Sequence, residues 1–205
     1  DVLVSVPFLY AGILLPILSK AWGDKRHADL SQLISRSLDV MILLTLPLIV
    51  GMYLFGEQAL LFISGPAFLQ AGTLARVLIF AVTSIYFNTV LAYTVVALRA
   101  QRKMIPIYAI TAVLTLIGYM YFIPRYGAIS AAWLTVASET AILLGSIVTV
   151  WSHVHFAPSW RLLAGAMSSA AFMWIAGSFA QSLPLFAALC VTGFVYVIAL
   201  FFTRT

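Results

Sequence analysis

An all-α polytopic membrane protein with about seven transmembrane helices is the fold class this sequence predicts, on three observations. The chain is 63% hydrophobic and only 8% charged, against roughly 45–50% apolar and 25% charged in a soluble domain, so a water-soluble fold has nowhere to put the excess. Apolar stretches of about 20 residues recur along the whole length, the span a helix needs to cross roughly 30 Å of hydrocarbon. These stretches lack period-two alternation and are about twice too long for barrel strands, which leaves helices.

The first stretch, near residues 1–19, ends in Leu15, Pro16, Ile17, Leu18 and Ser19, where the proline removes a backbone donor and bends the helix near its end. From Ala28 to Leu38 the apolar residues Leu30, Leu33, Ile34 and Leu38 fall at helical spacing, with Asp29, Gln32, Ser35 and Arg36 opposite. Residues 28–38 are therefore expected to form an interfacial helix, either a simple re-entry element or one that gates. The second stretch, 38–63, carries Pro47, Gly51, Gly56 and Glu57 and closes at the turn signal Ser64, Gly65, Pro66. The third, 73–98, holds Arg76 at its start and Asn88 near its middle, with Arg99 three turns further on the same face.

The fourth stretch, 104–123, sets Tyr108, Thr111, Thr115 and Tyr119 on one face and ends at Pro124, Arg125, Tyr126 and Gly127. So short a turn makes the fifth stretch, 128–151, antiparallel to the fourth. It begins with Ala128, Ser130, Ala131 and Ala132, small side chains that admit a close neighbour. Trp133 and Trp151 lie near its ends, where amphipathic rings favour the membrane interface. The sixth and seventh stretches, 161–180 and 184–203, are poor in polar residues and are expected at the periphery or on lipid. Cys190 in the last has no disulfide partner and is expected simply to pack.

Lys and Arg collect in cytoplasmic loops, and here alternate connections differ sharply. Lys20, Lys25, Arg26, Arg36, Arg99, Arg102, Lys103, Arg161 and Arg204 fall on one side, nine against the two, Arg76 and Arg125, on the other. That places the first residue outside and the C-terminus in the cytoplasm, and the basic balance needs no nucleic acid to explain it. The chain opens at Asp1 and is apolar from Val2, without a signal peptide's basic start, so an internal start in a longer protein is expected.

Glu139 is the foremost candidate functional residue, an acid near the middle of the fifth span. Insertion scales put a central Asp at about 2.5–3.5 kcal/mol, so such a group faces protein, a cation or a water-filled cavity. Ala132, Thr135 and Ser146 share its face. It is read either as a coupling or cavity-lining acid or as a carboxyl that fixes packing. Glu57 and Arg76 sit at similar depth and form either a partly dry ion pair or two water-facing rim charges. Asn88 is helix glue or a substrate contact. His153 and His155 have no Cys, Asp or Glu nearby to complete a metal set, so no metal is expected. No loop carries an acid pair, an activated nucleophile or a phosphate cradle, and neither a catalytic set nor a cofactor is expected.

Several segments together resemble the polysaccharide flippases of the multidrug, oligosaccharidyl-lipid and polysaccharide exporter superfamily. They are Leu15 to Ser19 followed by a basic loop; Leu46, Pro47, Leu48, Ile49, Val50, Gly51; and Ser64, Gly65, Pro66, Ala67, Phe68. The most specific is Ile123, Pro124, Arg125, Tyr126, Gly127, Ala128, Ile129, Ser130, Ala131, Ala132, closed by Ser138 and Glu139, with Ser130 where the family pattern has glycine. The resemblance implies a two-lobe bundle, with residues 1–151 similar to the second lobe, residues 152–205 adding two helices, and an N-terminal lobe supplied elsewhere. It implies transport of polyprenyl diphosphate-linked oligosaccharide across a bacterial inner (plasma) membrane by alternating access, with proton or sodium coupling. A cationic cavity would suit the diphosphate, and Arg76 and Arg99 are the cations to consider. Drug exporters of the superfamily share the architecture. A membrane polymerase or ligase with its catalytic residues in another part of the protein is the non-transport alternative.

Overall fold

The structure is a computed structural model that describes residues 2–65 and 71–203. Pro66, Ala67 and Phe68 of the expected turn, and Arg204 of the basic tail, lie outside the described residues. Among those described there are seven α-helices and no strand: α1 (Val2–Gly23), α2 (His27–Ser64), α3 (Ala71–Ala97), α4 (Gln101–Tyr126), α5 (Ala128–Trp151), α6 (Trp160–Phe179) and α7 (Leu185–Thr203). All seven are long and apolar enough to cross a membrane. The chain is a multi-pass membrane protein.

The segment 28–38 is not a helix of its own. It forms the first turns of α2, which runs unbroken for 38 residues, about 57 Å at 1.5 Å per residue and well beyond the roughly 30 Å of hydrocarbon. The reason is local: between Ser37 and Ile42 there is neither glycine nor proline to end the helix. Its first turns bury Leu30, Ile34, Leu38 and Met41 and leave Asp29 and Arg36 exposed.

The chain divides into two compact units, neither continuous in sequence. The first comprises residues 1–41 and 80–157, so it contains α1, the start of α2, most of α3 and the α4–α5 hairpin. On α1, the buried residues Ala11, Leu14, Leu18 and Ala21 recur at spacings of three and four, one stripe of a packed helix. The second unit comprises residues 42–79 and 158–205. Here Val50 of α2 packs with Ala170 and Met173 of α6 and Tyr196 of α7, and Phe55 packs with Ala180 and Ala188. One face of each of the last two helices shares the unit's core with α2, while Phe172 on α6 and Phe186, Phe194, Val197 and Phe201 on α7 stay exposed. Cys190 faces outward on α7 rather than packing.

Two prolines inside these helices are matched by tyrosines from a neighbouring helix. Pro7 cannot donate to the Leu3 carbonyl one turn earlier, and in the first unit that carbonyl accepts from the Tyr86 hydroxyl of α3 at 2.7 Å. Pro47 likewise frees the Leu43 carbonyl, which in the second unit accepts from the Tyr196 hydroxyl of α7 at 3.1 Å. The two tyrosines are only 1% and 5% exposed. A neighbouring helix that satisfies the freed carbonyl is one way a helix in lipid tolerates proline, and these side chains do so.

Candidate functional site

The α4–α5 hairpin builds a polar seam inside the first unit. Residues Tyr108, Thr111, Thr115 and Tyr119 recur every three or four positions and so share one face of α4. Two glycines let α5 approach that helix closely. A Cβ on Gly118 would lie 2.8 Å from Leu134 Cδ2, and one on Gly145 would lie 2.7 Å from Ile107 Cγ2. The Thr135 hydroxyl donates to the Ala131 carbonyl at 3.0 Å, which leaves its oxygen to accept from the Tyr119 hydroxyl at 3.1 Å. One turn further, Thr111, Thr115 and Ser138 line a cavity of about 220 Å³ with Leu134 and Ala137. Glu139 comes next along α5, half-buried.

Helix α5 also binds α3. Thr140 is 3.2 Å from the Ser84 hydroxyl. Further along, Ser146 is fully buried and donates to Asn88 Oδ1 at 2.7 Å. The Met104 sulfur lies 3.4 Å from Thr149 Oγ1. Thr135, Glu139, Ser146 and Thr149 therefore form a polar column along α5. Its 14-residue length corresponds to about 21 Å of rise, two-thirds of a bilayer's hydrocarbon. Glu139 is its one acid, and among the described residues no hydrogen bond or ion pair engages the carboxylate.

No protein-family model matches the chain, and no curated protein matches it. The chemistry must be read from the side chains.

The other sequence-derived residues fall in separate places. Glu57 and Arg76 do meet: Arg76 Nη2 is 3.0 Å from Glu57 Oε1, with the side chains 39% and 49% exposed in that order. Gly72 makes the approach possible, since a Cβ there would sit 2.7 Å from Glu57 Cγ. The Nε of Arg76 is buried without a hydrogen-bond partner, so the guanidinium has a donor left over. Asn88 is engaged by Ser146. Arg99 lies past the end of α3, exposed in the turn that joins α3 to α4.

Arg99 is notable for its backbone. Among the described residues, Arg99 (φ 54) and Lys25 (φ 57) are the two non-glycine residues in the left-handed region. Each follows a helix end closed by the same pair of bonds. Lys25 N–H donates to Trp22 O and Arg26 N–H to Ala21 O; Arg99 N–H donates to Val96 O and Ala100 N–H to Val95 O. This is the Schellman arrangement, which glycine ordinarily completes. A side chain in that conformation costs about 1–2 kcal/mol.

The two histidines do not converge. His153 Nε2 is 3.4 Å from Lys103 Nζ and its Nδ1 is 2.8 Å from the Thr149 carbonyl, whereas the His155 ring packs on Trp151. Among the described residues no three His, Cys, Asp or Glu side chains are grouped to hold a metal ion. Sequence reasoning passed over Ser84, Thr140, Gly118 and Gly145. The two glycines, spaced to face large aliphatics on an antiparallel neighbour, were the available signal.

Proposed function

We propose that this chain belongs to a transporter that flips lipid-linked oligosaccharide across a bacterial inner membrane by alternating access. The observation that carries the transport reading is Glu139, an acid with no described hydrogen bond or ion pair, within a polar column of a transmembrane hairpin. An unpaired acid at that depth is costly to insert and is ordinarily kept for an ion, a proton or a substrate. A column of hydroxyls and an amide beside it offers exchangeable hydrogen bonds to a polar solute or to water.

The resemblance of residues 123–139 to the flippase turn and acid-terminated helix supports sugar-lipid as the cargo. The diphosphate of such a substrate needs cationic donors, and the unsatisfied Arg76 Nε supports a role for that guanidinium. The basic connections support a cytoplasmic C-terminus. A cation-coupled exporter of small molecules is the second reading, favoured by the absence of any described cation on Glu139.

The test is accumulation of lipid-linked oligosaccharide in cells carrying the full-length protein, comparing wild type with Glu139→Gln and Arg76→Ala at equal membrane expression. Flipping predicts accumulation of the precursor and a fall in surface polysaccharide. Normal polysaccharide in both variants and in a deletion strain rejects the flippase reading and leaves drug export to be assayed.

A further inference from the structure

A second polar feature of the first unit lies at the membrane end of its helices, away from the column. Ser19, Trp22, Gly23, Lys25, His27 and Arg99 are among the residues lining a cavity of about 650 Å³ there. The two non-glycine residues with positive φ among those described are thus both cations and both border this one space.

Cations at helix C-termini complement the helix dipole, and that alone would explain basic residues in the last turns. It does not explain their place in the left-handed position. Glycine ordinarily fills that position, and here Lys25 and Arg99 fill it instead.

Nothing among the described residues neutralises these charges. The nearby acids Asp24 and Asp29 bind Arg26 at 3.0 and 3.4 Å, and neither lines the cavity. Lys25 and Arg99 have no carboxylate within ion-pair reach among the described residues. His27 adds ring nitrogens and packs edge-on to Trp22, with ring centroids 5.2 Å apart, while His153 lies on Trp22 at 6.4 Å.

We infer that this cavity binds the phosphate of an anionic phospholipid headgroup, held between Lys25 and Arg99 with Ser19 and His27 as further donors. The depth selects lipid over a soluble anion. The cavity is at the last turn of spans 22 and 27 residues long, where headgroups lie, and Trp22 is an aromatic residue of the kind that sits at that level. The assignment does not depend on what the protein transports.

The test uses the full chain in neutral detergent, with binding of phosphatidylglycerol and phosphatidylcholine counted by native mass spectrometry. Wild type should prefer phosphatidylglycerol about thirtyfold, given two cations at the headgroup surface. The double variant Lys25→Gly/Arg99→Gly should bind both lipids equally while its melting temperature stays level or rises, because glycine relieves the strain. Arg36→Ala, outside the cavity, should keep the preference. A preference that survives in the double variant overturns the site. Inorganic pyrophosphate that binds where phosphatidylglycerol does not overturns the lipid assignment.

Discussion

The Tyr196 hydroxyl donates at 3.1 Å to the Leu43 carbonyl, the group that Pro47 leaves without its helical donor. This bond joins α7 to α2 within the second unit. Tyr196→Phe should destabilise the protein by about 1–2 kcal/mol, since a buried carbonyl loses its partner. In a Pro47→Ala background the restored amide N–H supplies the bond, and the same substitution should then cost less than about 0.5 kcal/mol. Unfolding in SDS, measured on all four proteins of the cycle, checks it; equal costs in both backgrounds would mean the hydroxyl matters for some other reason.

Glu139→Leu should separate stability from function. Removing an unpartnered acid from the middle of a span should stabilise the fold by about 1–3 kcal/mol, by analogy with insertion costs. Transport should fall to background. A variant that is less stable than wild type would show that the carboxyl is a packing group after all.

The two close-approach glycines should differ in sensitivity. Gly118→Ala meets the ends of Leu134, a side chain that can rotate away, whereas Gly145→Ala meets the branched Ile107, which is stiff at χ1. Gly145→Ala should cost about 1–3 kcal/mol and Gly118→Ala about 1 kcal/mol or less. Ile107→Ala should recover much of the first loss, read as detergent-resistant melting temperature.

The Glu57–Arg76 pair should contribute little to stability. Its groups are two-fifths to one-half exposed, and such pairs are worth about 0–1 kcal/mol. Glu57→Gln should therefore leave unfolding almost unchanged. Arg76→Lys keeps the charge but gives up the guanidinium's remaining donors, so it should impair transport at unchanged expression if Arg76 reads an oxyanion. Wild-type flux in Arg76→Lys would reduce the residue to a generic charge.

The helices were legible in the sequence because length and hydropathy alone decide whether a segment can span lipid, and no tertiary detail enters. The merging of 28–38 into α2 was also written there, as the lack of any breaker after Ser37, but amphipathic spacing drew the eye to an interfacial helix. Partnerships were less legible. Glu57 and Arg76 could be matched because opposite charges at equal depth seek one another. Ser146 as the partner of Asn88, or Tyr196 as the partner of Leu43, required knowing which helices are neighbours. Units assembled from residues 1–41 with 80–157, and 42–79 with 158–205, leave no mark in composition. The strain at Lys25 and Arg99 was hidden for a related reason: a left-handed residue announces itself only when it is glycine.

The two tyrosine-to-carbonyl bonds impose a timetable on biogenesis. Leu3 and Tyr86 are 83 positions apart, and Leu43 and Tyr196 are 153 apart. At roughly 5–20 residues per second, a ribosome delivers the first donor about 4–17 s after its acceptor and the second about 8–31 s after. Throughout that interval the Leu43 carbonyl sits in a nascent helix that cannot satisfy it, and hydrocarbon offers no substitute. Until α7 emerges, α2 is better served by the hydrated insertion channel than by lipid. Stalled chains ending before and after Tyr196 should differ in how readily α2 cross-links to that channel, which would make the last helix the signal that releases the second.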